Sequence, residues 1–296
     1  MNKYFFGFLI ITLLVGGIAI WQSYYFEKIV RGIVLSPNRQ LASVATAVSS
    51  PFYYTFKVDG VIDEIGKMDD SSSPYFWLNS GGQFLLKDGI GKTVQSELAK
   101  FNKWRLAYAT SNPTDTDNGY HPQNIFRLVT RSKWQSFNQE IYFKITKSNL
   151  STSINRNASN GVLLFNRYQD GNNLYYVGIR VDGFAVIKKK INGIYYTLAY
   201  KSFYNDITPY NRATNPNLIP AQKWIGLKSE VVTNTDNTVS IKLFIDKDKT
   251  GNWVLAAEPK DDGKTYGGAA ILNAGYAGIR TDFMDVEFDD YKIIKQ

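Results

Sequence analysis

Three acidic side chains late in the sequence have the spacing of a catalytic carboxylate row. Asp285, Glu287 and Asp289 alternate with Val286 and Phe288 in the segment DVEFDD. Successive side chains of a β-strand point to opposite faces, so an extended segment would place the three carboxylates on one face. Retaining hydrolysis of a glycosidic bond requires two carboxyl groups about 5–5.5 Å apart. The segment is therefore either an active-site strand or an ordinary strand of a binding domain.

The same segment predicts an irregularity in the strand. Val286 and Phe288 are apolar at one parity, whereas Tyr291 and Ile293 are apolar at the other. The buried face must change between them, which requires a β-bulge at Asp289–Asp290. Two carboxylates on a bulge supply oxygen ligands of the kind that a hard cation such as Ca²⁺ prefers. Exposed acids at a bulge also need no metal, so both interpretations stay open.

The composition excludes several kinds of site. The 296 residues include no cysteine and one histidine, which rules out disulfides and thiolate chemistry and argues against a catalytic zinc centre. There is no phosphate-binding glycine loop and no dinucleotide-binding motif, so we expect no organic cofactor. The formal net charge of +8 is compatible with acidic partners, but an ordinary basic, solvated surface accounts for it as well. No nucleic-acid-binding motif accompanies this charge, so we expect no nucleic-acid partner.

The N-terminal segment predicts where the protein resides. Residues 4–21, YFFGFLIITLLVGGIAIW, contain no charge, and the apolar character continues through SYYF. This length suits an uncleaved transmembrane anchor in residues 1–26, with residues 4–26 in the lipid bilayer. A cleaved signal peptide is the alternative, although no small-residue cleavage motif follows at the usual distance. We expect a single-pass membrane protein with a stalk at residues 27–50 and an extracytoplasmic, cell-surface domain at residues 51–296.

From residue 52 onward the sequence has the pattern of a β-protein. Runs rich in β-branched and aromatic residues, such as EIYFKIT, LYYVGIRV and VSIKLFI, are separated by turn segments such as QDGNN, TNTDN and KDDGK. About fourteen predicted strands without alternating helical segments indicate one antiparallel β-sandwich. Only residues 91–101, GKTVQSELAKF, have the composition of a helix, and residues 111–124 form a long polar loop.

The later part of the chain resembles a known superfamily. The segments NGVLLFNRYQDGNNLYYVGIRVDGFAVIKKK, KWIGLKSEVV and AGIRTDFMDVEFDDYKI are similar to the concanavalin A-like lectin and glucanase jelly rolls, especially their laminin-G-like members. The resemblance implies an all-β, antiparallel sandwich of jelly-roll topology over residues 125–294. It also implies that Asp289 or Asp290 binds a structural Ca²⁺ together with backbone carbonyls of an early loop.

This resemblance does not assign an activity, because the superfamily includes lectins, hydrolases, lyases and adhesion modules. Its glucanases carry Glu-x-Asp-x-(x)-Glu on a mid-sheet strand, whereas DVEFDD begins with Asp285. The departure favours a closing strand over a catalytic row. We therefore expect a membrane-anchored, non-catalytic carbohydrate-binding module.

Alternation along the predicted strands suggests which side chains form the ligand face. Sugar sites combine aromatic platforms with charged or amide hydrogen-bonding groups. A basic, tyrosine-rich groove would suit uronic, sulfated or otherwise anionic glycans, because Arg pairs with carboxylates through two parallel hydrogen bonds. The alternative is a polar face that only contacts water, as any antiparallel sheet can have. The predicted ligand residues are Tyr142, Lys144, Arg167, Tyr176, Arg180, Lys188 and Arg280.

Two other functions remain open. A polysaccharide lyase or glycoside hydrolase of the same fold is the first, and a lyase would use Arg280 to neutralise a uronate carboxylate and Tyr120 or His121 to move a proton. A pilin-like surface-assembly subunit is the second, since it would combine an apolar N-terminal helix with a β-domain. The oligomeric state is open.

Two Asn-x-Ser sequons, at Asn149 and Asn157, lie in one polar segment. Such sequons are acceptor sites for N-linked glycans. They have meaning only if this segment is outside the cytoplasm.

Overall fold

The computed structural model describes residues 42–204 and 208–296, which form two antiparallel β-sheets packed face to face. The predicted all-β antiparallel sandwich is confirmed. Within these residues the chain forms β1 (Phe52–Tyr54), β2 (Gly60–Asp63), β3 (Phe76–Ser80), β4 (Gln83–Lys87), β5 (Ile90–Lys92), helix α1 (Lys103–Ser111), β6 (Ile125–Trp134), β7 (Phe137–Ser148), β8 (Gly161–Asp170), β9 (Asn173–Arg180), β10 (Phe184–Ile191), β11 (Ile194–Ser202), β12 (Ile225–Thr233), β13 (Val239–Asp246), β14 (Val254–Ala257), β15 (Lys260–Asp261), β16 (Gly275–Asp282) and β17 (Met284–Lys295). Two single 3-10 turns lie at Met68–Asp70 and Pro122–Asn124.

The larger sheet has the strand order β14-β13-β12-β7-β17-β5-β4-β2, with β1 beside β17 and β15 beside β13. The smaller sheet has the order β11-β10-β9-β8-β16-β6-β3. Alternation decides which side chains enter the space between the sheets. On β7, for example, Ile141, Phe143 and Ile145 are buried in this core, whereas Tyr142 and Lys144 point outward.

The predicted bulge in the closing strand is confirmed. The register of β17 against β7 shifts between Asp289 and Lys292, and Asp290 has a φ of 51°. Val286 and Phe288 before the shift and Tyr291 and Ile293 after it all belong to the core. The bulge therefore lets one strand keep its apolar side chains inward although their parity changes.

The predicted helix at residues 91–101 is wrong. Residues 90–92 are strand β5, and the helix lies instead at Lys103–Ser111. Its start is set by Asn102, whose side-chain oxygen accepts a hydrogen bond from Trp104 N at 2.8 Å. Trp104 and Tyr108, four residues apart on one helix face, are buried against the sandwich.

The N-terminal predictions fall mostly outside the described residues. The predicted anchor at residues 1–26 and the predicted stalk up to residue 41 lie outside the described residues. In residues 42–204 and 208–296, no helix has the length and apolarity needed to cross a bilayer. The described end of the predicted stalk lies against the sandwich, because Ser43 N and Thr46 N donate to the carbonyls of Ser71 and Pro74 at 2.9 and 3.1 Å.

Candidate functional site

The predicted carboxylate row does not form on one face. A second register shift between Asp285 and Val286 turns Asp285 into the interior, where it is 1% exposed. Its Oδ1 accepts hydrogen bonds from Gln123 and Asn149 at 2.8 and 2.9 Å, and its Oδ2 accepts one from Ser96 N at 2.7 Å. Asp285 is thus a structural carboxylate.

Glu287 lies on the outer face of the larger sheet between two lysines. Its oxygens are 2.9 Å from Lys92 Nζ and 2.7 Å from Lys144 Nζ. Burial alone would raise the pKa of Glu287, but hydrogen bonds and charge from the two lysines outweigh this and lower it. A general acid in a glycosidase needs a raised pKa, so Glu287 lacks this property.

Asp289 and Asp290 already have a cation beside them. Lys249 Nζ lies 2.5 Å from an oxygen of Asp289 and 3.1 Å from one of Asp290. A calcium ion here would have to displace this ammonium group, so the two carboxylates do not fit a calcium site in this arrangement. The part of the chain that the structure describes contains no cluster of three or more acidic or histidine side chains suited to a metal. The Ca²⁺ ion remains a prediction.

The seven predicted ligand residues lie in two different sheets, so the prediction that they converge on one groove is wrong. Tyr142 and Lys144 lie on the outer face of the larger sheet, where Tyr142 bonds to Asp246 and Lys144 pairs with Glu287. Four other predicted ligand residues lie on the outer face of the smaller sheet, on the opposite side of the sandwich. They are Tyr176, Arg180, Lys188 and Arg280.

Arg167, the seventh residue, is fully buried. The register of β8 against β9 shifts between Asn166 and Asp170, and Arg167 has a φ of 50°. Its guanidinium donates to Gln135 O, Ile271 O and Thr233 Oγ1, each at 2.7 Å. Burial lowers the pKa of Arg167 to about 10. Arg167 therefore ties the smaller sheet to β12 of the larger sheet and is not available to a ligand.

The outer face of the smaller sheet has an apolar floor. Residues paired across neighbouring strands form a row on this face. Val129 on β6 lies opposite Gly278 on β16, Phe165 on β8 lies opposite Tyr176 on β9, and Tyr176 lies opposite Lys188 on β10. The buried members of this floor are Val129, Leu163, Phe165, Tyr168, Leu174, Tyr176 and Val186, with Met68, Trp77 and Tyr276 packed against them.

Basic side chains share the outer face of the smaller sheet with these apolar residues. Arg127 on β6 and Arg280 on β16 are directly opposed in the register, and Lys188 and Arg180 are on nearby strands. We call this surface the arginine face and define it by Arg127, Tyr176, Arg180, Lys188, Tyr195 and Arg280. Its ion-paired carboxylates are Asp182, 2.7 Å from Arg180, and Asp282, 2.8 Å from Arg280. Among the described residues, no carboxylate pairs with Arg127 or Lys188.

Lys188 lies partly buried among charged groups of both signs. Burial is the main cause that lowers the pKa of Lys188, and the nearby charges of Arg180 and Arg280 lower it further, whereas Tyr195 and Asp182 raise it. Carboxylate or sulfate groups on a ligand would relieve the repulsion between Lys188 and the two arginines.

Two tyrosines complete the arginine face. The rings of Tyr176 and Tyr195 are 5.8 Å apart, and the guanidinium of Arg280 lies 5.4 Å from the centre of the Tyr176 ring. Burial raises the pKa of Tyr176 to about 12, although Arg280 opposes this. Burial would also raise the pKa of Tyr195, but Arg280 and hydrogen bonds from Tyr176 outweigh it, so the pKa of Tyr195 is lowered.

The sequence did not single out Arg127 or Tyr195. Arg127 follows the alternation of IFRLVT, in which Phe126 and Leu128 are core residues, so its outward direction was readable. Its position opposite Arg280 was not readable, because it depends on β6 pairing with a strand much later in the chain.

The other residues predicted for a lyase are held elsewhere. His121 Nδ1 is 2.9 Å from Asp117 Oδ2, and the guanidinium of Arg105 lies 3.5 Å from the Tyr120 ring centre. No hydrogen bond or ion pair between described residues joins His121 or Tyr120 to Arg280. The structure therefore does not assemble this predicted set.

No protein-family model and no curated protein matches the sequence. Among solved structures, the chain is similar to the carbohydrate-binding module CBM66 of Bacillus subtilis, with 14% identity, a TM-score of 0.40, and coverage of 58% of this chain and 83% of that one. It is also similar to a Bacillus subtilis protein of unknown function with a galectin-like fold, with 12% identity, a TM-score of 0.44, and coverage of 86% and 99%.

A third similar structure is a GH43 protein of Bacillus licheniformis, with 12% identity and a TM-score of 0.46. It is matched over 85% of this chain, which spans only 40% of that protein. The similar structures thus include a carbohydrate-binding module, a protein with a galectin-like fold and a GH43 protein. At this distance they do not identify a ligand.

Proposed function

We propose that this protein binds carbohydrate without catalysis and that the arginine face takes an anionic glycan. The carrying observation is the opposed pair Arg127 and Arg280 above an aromatic floor, with a carboxylate partner for Arg280 but not for Arg127 among the described residues. Sugar rings pack on exposed aromatic side chains, which Tyr195 provides on this face, and guanidinium groups bind carboxylate or sulfate groups by charge-assisted hydrogen bonds.

The opposite face of the sandwich supports this choice by contrast. There Lys144 and Lys92 pair with Glu287, Lys249 pairs with both Asp289 and Asp290, and Lys292 lies 3.7 Å from Glu140. These charges neutralise one another within the protein. An anionic ligand gains more from the arginine face, where cations outnumber the acids paired with them.

Membership of the concanavalin A-like superfamily, anchoring through residues 4–26 and a place at the cell surface are the finer parts of this proposal. They rest on the sequence patterns described above. The observations on the arginine face do not depend on them.

Binding and cleavage are tested together with the full chain in detergent solution. Neutral, uronic and sulfated polysaccharides are compared for retention of the protein and for new chain ends. We expect retention by uronic or sulfated chains without cleavage. Equal retention by neutral chains would contradict the anionic preference.

A lyase is the second candidate, because Tyr195 combines a lowered pKa with contact to Arg280. Such a phenol can transfer a proton while the guanidinium neutralises a carboxylate. New unsaturated chain ends in the same experiment, lost in Tyr195→Phe, would replace the binding proposal with this one.

A further inference from the structure

The two glycosylation sequons differ sharply in the folded protein. Asn149-Leu150-Ser151 and Asn157-Ala158-Ser159 lie within one connection between β7 and β8. An oligosaccharyl group can be attached to folded protein only where the Asn amide nitrogen is accessible. The structure therefore allows a choice between two sites that look alike in sequence.

The first sequon is closed by its own hydrogen bonds. Asn149 is 3% exposed, and its Nδ2 donates to Asp285 Oδ1 at 2.9 Å and to Asn124 Oδ1 at 3.1 Å. An amide group has two N–H donors, so both are used. Ser151 is 4% exposed and its hydroxyl donates to Asp117 Oδ1 at 2.5 Å. Both functional groups of the sequon are buried in the network that also holds Asp285.

The second sequon is open. Asn157 and Ser159 are exposed, and Asn157 Nδ2 makes one long hydrogen bond, 3.2 Å, to Asn155 O. Ser159 N and Ser159 Oγ both donate to Asn157 Oδ1, at 2.9 and 2.5 Å. Negative charge develops on Oδ1 when Nδ2 loses a proton, and these two donors are placed to stabilise it.

The segment around Asn157 is held at the surface by its neighbours. Asn157 N donates to Asn160 Oδ1 at 2.7 Å, and Arg180 Nε donates to Ala158 O at 3.0 Å. These bonds fix the turn, whereas the Asn157 side chain is exposed and its Nδ2 makes a single hydrogen bond, which leaves one N–H free. The bonds of the turn also place the sequon beside Arg180, at the margin of the arginine face.

We propose that Asn157 is an acceptor for an N-linked glycan and that Asn149 is not modified in the folded protein. The donor is a polyprenyl-diphosphate-linked oligosaccharide. Asn157 Nδ2 bonds to the anomeric carbon of the first sugar and gives up one proton to solvent water, while the bond from that carbon to the diphosphate oxygen breaks and the polyprenyl diphosphate leaves with the electron pair. The proposal rests on an extracytoplasmic location of this domain.

The test compares the folded full chain with peptides of the same sequence. Purified protein and synthetic peptides covering residues 143–156 and 152–165 are incubated with a purified oligosaccharyltransferase and its lipid-linked donor. Mass spectrometry then gives the occupancy of each asparagine. We expect both peptides to accept sugar, whereas the folded chain accepts it at Asn157 with an occupancy at least tenfold above Asn149.

Variants at the exposed sequon provide matched controls. Asn157→Gln and Ser159→Ala should remove the modification from the folded chain, whereas Ser159→Thr should keep it. Arg127→Ala should also keep it, which separates this test from that of glycan binding. Occupancy of Asn149 within tenfold of that of Asn157 in the folded chain, absence of sugar from Asn157, or failure of the 152–165 peptide as an acceptor would each overturn the proposal.

Discussion

Arg127 and Arg280 are direct neighbours in the register of β6 and β16, with their side chains on the same outer face. Like charges at opposed positions of an antiparallel pair destabilise the sheet. Arg280 is offset by Asp282, but Arg127 has no acidic partner among the described residues. The stability of the free protein does not explain this pair, and the proposed anionic ligand would offset the repulsion.

Replacing Arg127 should weaken glycan binding without unfolding the protein. Loss of one charge-assisted hydrogen bond costs about 1.5–3 kcal/mol, so Arg127→Ala should raise the Kd for a uronic or sulfated oligosaccharide about 10- to 100-fold. Isothermal titration calorimetry measures this change. Lys228→Ala, on the other sheet between Phe244 and Trp253, is the control and should leave the Kd unchanged. An equal loss in both variants would indicate unspecific charge attraction.

Binding should weaken as the pH rises toward 10. The pKa of Lys188 is lowered mainly by burial. The pKa of Tyr195 is lowered because the charge of Arg280 and a hydrogen bond with Tyr176 together outweigh the effect of burial. Deprotonation removes a positive charge at Lys188 and creates a negative one at Tyr195, and both changes disfavour an anionic ligand. Titrations between pH 7 and 10 should show a smaller loss in Tyr195→Phe. Affinity that is constant over this range would contradict the assignment of these groups to the site.

Arg167 should matter for stability and not for binding. Arg167→Met leaves the carbonyls of Gln135 and Ile271 without their donor, which should lower the free energy of unfolding by about 2–4 kcal/mol. Urea unfolding measures this loss. The folded fraction should keep the wild-type Kd for the glycan. A weakened Kd with unchanged stability would restore Arg167 as a ligand residue.

The buried ion pair between Lys189 and Asp261 should be another strong determinant of stability. Lys189 Nζ is 2.8 and 2.9 Å from the two oxygens of Asp261, and both residues are 0% exposed. Lys189→Met leaves an unpaired buried carboxylate and should cost about 3–5 kcal/mol of unfolding free energy.

The double variant Lys189→Met with Asp261→Asn is the control for that loss. It removes both charges and should be less destabilised than the sum of the two single variants, as thermal unfolding would show. Additive losses would mean that the two charges do not interact.

Local patterns of the sequence determined a good part of this structure. Alternation predicted the sandwich, because a strand half-buried in a core needs apolar residues at every second position. The parity change after Phe288 predicted the bulge of β17 for the same reason. The helix was misplaced because residues 91–101 have a helical composition, whereas the capping bond of Asn102 and the burial of Trp104 and Tyr108 favour a later segment.

The candidate site was decided by the tertiary structure. The predicted residues on β7 and those on β9, β10 and β16 lie in different sheets, and alternation carries no information on which sheet a strand joins. The bulge in β8 turns Arg167 inward, although the pattern FNRYQ places it with Phe165. Arg127 meets Arg280 only because β6 and β16, distant in sequence, pair in one register. The period of two is a property of a single strand, whereas strand pairing depends on the packing of the whole chain.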